Sequence, residues 1–203
     1  AQTAGRRLFS LRLDPEEEQS LLGNIYVGRV LHVVKNIEAA FVDLGGGLTG
    51  YYSLRENKNH LFTGGPGPVD PAAARMTPPH PLRQGDEILV QISRDAVKTK
   101  EPSLSPYLNF TGRFAVLTLG KTQIGFSSRI RDAAWKESVL SLLKKEKTDD
   151  FGIIVRTNAY GASPEQLADE IRSLKSQMER VLSHAQNRVC PSLLAAADPP
   201  FLQ

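Results

Sequence analysis

The chain has 203 residues, 40% of them hydrophobic and 23% charged, so it reads as an ordinary globular protein rather than a disordered or fibrous one, long enough for two small domains. Its net charge of +3 and pI near 9.0 suit a polyanion partner without requiring one. No apolar run reaches membrane-span length and the first residues lack the apolar centre of a signal peptide, so a cytoplasmic location is expected; the single cysteine, Cys190, rules out a disulfide within the chain.

In chain order, Leu8 to Leu13 is a short strand candidate followed by Asp14-Pro15 and three glutamates, and its pairing partners are expected elsewhere. Three strands then follow closely: Ile25 to Val34, Ala39 to Leu44, and Leu48 to Leu54 after the triple glycine at 45 to 47. They form a meander, and alternation along each strand sorts its faces. Ala40, Val42 and Leu44 share an apolar face that Tyr52 and Leu54 continue, which leaves Phe41 and Tyr51 together on the other. Exposed aromatics beside cations suit single-stranded nucleic acid, because every base has a face to stack. The pattern alone equally allows two partly covered surface aromatics.

Arg55 to Arg83, rich in glycine and proline, is expected to be a long surface loop, with His60 and His80 as surface histidines rather than metal ligands. A fourth strand spans Glu87 to Arg94, with Ile88, Val90 and Ile92 apolar opposite Leu89, Gln91 and Ser93. The cations Arg94, Lys98 and Lys100 end it, and a fifth strand is expected around Leu104 to Phe110. Five such strands close into an OB-type barrel, an architecture used for oligonucleotides.

From Gly112 the rhythm changes. Strands are expected at 113 to 119, 122 to 126 and 152 to 156, with a helix from Ala133 to about Lys145 capped by Asp132 and another from Pro164 to about Gln186. Ser163, Pro164 and Gln166 spell a capping box with proline at the first helical position. This order implies a small α+β domain after the barrel. The segment from Pro191 to Gln203 does not read as a domain terminus.

No phosphate-binding loop, nucleophile elbow or metal-binding histidine pair is present. Gly64 to Gly67 lacks the following GK[ST] and helix, and Asp149-Asp150 reads as a solvated loop. Arg129 and Arg131 before the first helix, and Arg156-Thr157 after a strand, can make charge-assisted bonds to a phosphate, although isolated arginines are more often solvated surface charges and spacing does not decide between the two.

The motifs GNIYVGRV, EAAFVDLG, GDEILVQI, GFSSRI and IIVRTNAYGAS, in this order, resemble the amino-terminal part of the ribonuclease E/G family of bacterial endoribonucleases. The resemblance implies an S1-like OB-fold that carries RNA-contacting aromatics and a lysine, then a sensor pocket for an RNA 5′-monophosphate, both inserted into a split RNase H-like domain. Residues 1–22 would be a remnant of that split domain, 23–105 the OB-fold RNA-binding domain, 106–190 the α+β 5′-sensor domain and 191–203 a truncated tail. Motif by motif, Phe41, Tyr51 and Lys100 fall on the RNA-binding positions, and Gly112, Val116, Arg156 and Thr157 on the sensor, with Arg129 in the adjacent motif. Ser128-Arg129 stands where the family often has two arginines, and Glu101 where it often has glycine. Tyr51 replaces a phenylalanine and preserves stacking.

The resemblance puts the family's catalytic aspartates and zinc-linking cysteines beyond Pro191. The chain is therefore expected to bind RNA without cutting it, to need no cofactor itself, and to have no catalytic or metal-ligating residue. The full-length enzyme would be a magnesium-dependent hydrolase acting on single-stranded RNA, a homo-oligomer in its complete form. The competing expectation is a non-catalytic OB-fold module or assembly subunit whose α+β part contacts protein.

Overall fold

The computed structural model describes residues 20–64, 69–74, 78, 80–97 and 100–197. The Leu8 to Leu13 strand, most of the 1–22 remnant, Lys98 and most of the 64–67 glycine run lie outside the described residues. The described residues form ten strands and two α-helices: β1 Ile25–Val34, β2 Ala39–Gly45, β3 Leu48–Ser53, β4 Glu87–Arg94, β5 Ser103–Ser105, β6 Asn109–Thr111, β7 Ala115–Leu119, β8 Ile124–Phe126, α1 Ala133–Glu146, β9 Phe151–Val155, α2 Pro164–Ala185 and β10 Ser192–Ala195.

β1, β2, β3, β5 and β4 are hydrogen-bonded in that order, and β4 returns to β1, closing an OB-type barrel. The β2–β3 turn uses Gly45, Gly46 and Gly47 at φ of 89°, 62° and 80°, a left-handed run that side-chain-bearing residues resist. Tyr26, Val30, Ala40, Val42, Leu44, Tyr52, Ile88, Val90, Ile92 and Leu104 fill the interior, as strand alternation predicts.

The second sheet runs β6-β7-β9-β8 and packs against α1 and α2. Asp132 caps α1 by accepting from the Trp135 amide, and Ser163 with Gln166 forms the full capping box of α2. The buried stripe of α2, including Leu167, Ile171, Leu174, Met178 and Leu182, shares one apolar cluster with Leu117, Ile153 and the barrel residues Ile25, Val27 and Leu89. The barrel and the α+β part therefore share a core.

Several expectations are corrected. The single fifth strand over 104–110 is two strands, β5 in the barrel and β6 in the second sheet. Leu89 and Gln91 are buried, not outward, because the second sheet covers that side of β4. Gln91 ties the halves together: its amide donates to the Gly23 and Asn109 carbonyls and its oxygen accepts from the Asn109 amide. The 55–83 connection is not all surface loop. Leu61 is fully buried, its carbonyl accepts from Leu89, and Phe62 bridges to Ile88.

His60 is likewise no surface histidine: it is 6% exposed, with Nδ1 2.9 Å from the Tyr52 hydroxyl. Burial lowers its pKa below the ordinary 6.5. Finally, Ser192–Ala195 is a strand that pairs antiparallel with the start of β1, along the edge that β2 does not reach.

Candidate nucleic-acid interface

Phe41 stands directly opposite Tyr51 in the β2–β3 register, with ring centroids 6.0 Å apart in an edge-to-face arrangement. Both are half-buried, whereas their strand neighbours Ala40, Val42 and Tyr52 are fully enclosed. The rings thus lie on the barrel's outer surface, on the side that alternation predicts. A third ring joins them. His32 on β1 pairs with Phe41 and stacks on it at 5.0 Å and 27°.

His32 was not legible from the sequence, because simple alternation groups it with the inward-facing Val30. The register shifts between those two residues, and the irregularity turns His32 outward. The row continues across β3 to β5, where Tyr51 pairs with Ser103 and its amide donates to the Pro102 carbonyl. Lys100, exposed two residues before Pro102, exchanges backbone hydrogen bonds with Val97. Phe41 and Tyr51 therefore share one side of the barrel, and aromatic faces left open in this way can stack bases.

The second group forms around the β6–β7 turn. Glu170 on α2 accepts hydrogen bonds from the amides of Arg113, Phe114 and Ala115, at 3.0, 2.7 and 2.9 Å, and so fixes the turn that begins at Gly112. Arg156, at the end of β9, is anchored to the same turn twice: its amide donates to the Phe114 carbonyl and its guanidinium to the Gly112 carbonyl. A guanidinium has five N–H donors, so this anchor leaves others for an anion.

Beside it, Thr157 Oγ1 lies 3.2 Å from Ser127 Oγ, which also accepts from the Arg129 amide. Arg129, Arg156 and Thr157 line one surface depression together with Ser127 and Ile154. Gly112 and Val116 do not line it. Gly112 orients Arg156 through its carbonyl, and Val116 pairs with Ile154 across the sheet. Glu170 was missed in the sequence because a carboxylate in mid-helix carries no local signal of a contact more than fifty residues away.

Among the described residues no set of three or more His, Cys, Asp or Glu side chains could hold a metal ion. Nor is any helix among them long and apolar enough to cross a membrane.

Residues 109–203 match the model of the Ribonuclease E/G family. Along most of its length the chain is similar to ribonuclease E of Haemophilus influenzae, 29% identical over 94% of this chain, and to ribonuclease E of a Nostoc species, 30% identical over 90%. It is also 27% identical over 88% of its length to ribonuclease G of Salmonella typhimurium. It spans only 20%, 25% and 36% of those three relatives, respectively.

Proposed function

The chain belongs to the ribonuclease E/G family, and on that premise we propose that it is the part of such an enzyme that holds single-stranded RNA and reads its 5′ end. RNA lies along the outer barrel surface, stacks on Phe41 and Tyr51 and is neutralised by Lys100. A 5′-monophosphate is received by Arg156, Thr157 and Arg129, with Gly112 and Val116 shaping the pocket. Hydrolysis of the RNA, with magnesium, belongs to the whole enzyme, which works in the cytoplasm as a homo-oligomer.

The observation that carries this reading is the pairing of Phe41 and Tyr51 on the outer face of a closed barrel. Two large rings turned away from an otherwise well-filled core need a role that burial does not supply, and base stacking is the chemistry they offer. The test is a fluorescence-anisotropy titration of labelled single-stranded RNA, bearing either a 5′-monophosphate or a 5′-hydroxyl, repeated at rising salt. The reading expects tighter binding of the phosphorylated RNA and a steep loss of affinity with salt as counterions are released. Equal affinity for the two ends refutes the sensor. Absence of RNA binding refutes the whole reading and leaves the protein-contact module in its place.

A further inference from the structure

The aromatic row on the barrel's outer face ends on β1 in a histidine. The register of β1 on β2 shifts between Val30 and His32, and the shift leaves both Leu31 and His32 exposed. His32 lies over Phe41 with ring centroids 5.0 Å apart at 27°, and Phe41 in turn meets Tyr51. The three rings therefore form one row across β1, β2 and β3. Among the described residues neither ring nitrogen of His32 has a hydrogen-bond or ion-pair partner.

Charged groups flank His32, and most are engaged elsewhere. On β1, Arg29 donates to Glu87 at 2.8 Å. On β2, Asp43, two residues beyond Phe41 on the same face, accepts from the Gly45 amide at 2.9 Å. Glu38, just before β2, pairs with Arg55 at 3.3 Å. On the other edge of β1 the Val30 amide donates to the Asp86 carbonyl, and there the Asp86 side chain accepts from the Arg83 amide and stands 3.8 Å from His80. Lys35 follows in the short turn that leads to β2. The imidazole is thus held at the row by its stack, and its nitrogens are left for a ligand.

A histidine changes charge between about pH 5 and 8. Neutral, it adds a third flat face to the row; charged, it adds a cation beside two rings that cannot neutralise a phosphate. The stack suits the charged form, because a cation within about 6 Å of a ring face is attracted to it.

We propose that His32 is a proton-linked contact for the RNA backbone: its charged form pairs with a phosphodiester of the strand whose bases stack on Phe41 and Tyr51. This rests on the reading that RNA lies along the outer barrel surface. Binding takes up a proton from solvent, and RNA is held more tightly as the pH falls. No 5′-phosphate is needed.

The probe is a labelled 5′-hydroxyl oligouridylate, which has no group that titrates in this range, so any pH response belongs to the protein. Anisotropy titrations at several salt concentrations give the salt slope of the affinity at pH 8 and at pH 5.5. For wild type the affinity should rise several-fold on acidification, and the slope should steepen by about 0.7, the counterion release of one further contact to a single strand. His32→Phe, which keeps a ring on Phe41 and leaves His60, His80 and His184 in place, should show neither change. His32→Lys, charged throughout, should hold the steeper slope at both pH values. The proposal is overturned if the wild-type slope is the same at both, or if His32→Phe keeps the wild-type response, which would assign it to another histidine. When either happens while Phe41→Ala still weakens binding, the barrel reading stands and only the role of His32 falls. If Phe41→Ala binds as wild type, the barrel reading falls and the proposal with it.

Discussion

A Cβ placed on Gly112 would come within 2.5 Å of Glu170 Oε1, the oxygen that accepts from the amides of Phe114 and Ala115. The glycine is therefore required by a close approach, not by an unusual φ. Gly112→Ala must push the carboxylate away from the turn it holds, at a cost of about 1–3 kcal/mol for forcing volume into a packed contact. Chemical denaturation should show a lower midpoint with an unchanged slope, and the variant should lose its preference for 5′-phosphorylated RNA, since the Gly112 carbonyl also orients Arg156.

Glu170→Ala tests the other side of that contact. Three amides lose their shared acceptor, and leaving such donors without a protein partner costs on the order of 1–3 kcal/mol where water cannot fully replace it. Binding of 5′-hydroxyl RNA, which the proposed reading assigns to the barrel, should stay at the wild-type level. A parallel loss for both RNAs would mean that Glu170 supports the fold in general and not the turn.

Phe41→Ala and Tyr51→Ala should each weaken RNA binding by about 1–3 kcal/mol and leave thermal stability nearly unchanged, because both side chains are only half-buried. Their rings touch, so the double variant should lose less than the sum of the singles. Wild-type affinity in both single variants, measured by anisotropy, would reduce the pair to surface packing.

Stability should depend on pH through His60. Burial lowers its folded-state pKa, so below about 6.5 the unfolded chain takes up a proton that the folded chain resists. Stability is complete above that value and falls as the pH drops through it toward the folded pKa. His60→Gln, which keeps an acceptor for the Tyr52 hydroxyl, should show a smaller fall in melting temperature between pH 7.5 and 5.5 than wild type. An identical fall in the two proteins would assign the effect to other groups.

Much of this was legible in the sequence for a physical reason. Strand alternation is local, so Ala40, Val42, Leu44 and Tyr52 could be placed inside and Phe41 and Tyr51 outside from spacing alone. The helix starts at Asp132 and Ser163 are equally local, being hydrogen bonds between side chains and amides three residues on. What could not be read depends on contacts distant in the chain or on a break in periodicity. Leu89 and Gln91 are buried by a sheet that forms later in the chain, and His60 by its bond to Tyr52 within a connection that looks like loop. His32 turns outward at a register shift that no spacing announces. In the group proposed as the 5′ sensor, Arg156 and Thr157 follow from the motif, but the Glu170 grip on the turn and the hydrogen bond from Tyr160 to Asp132 come only from tertiary structure.

The claim that RNA runs along the outer barrel face is tested most directly by photocrosslinking single-stranded RNA that carries photoreactive pyrimidines and a 5′-monophosphate, with the crosslinked peptides identified by mass spectrometry. Crosslinks are expected at Phe41 and Tyr51 and in the segment around Lys100, lost from Phe41 in Phe41→Ala. Crosslinks confined to the solvent-facing sides of α1 and α2, with none on β2 or β3, would contradict it.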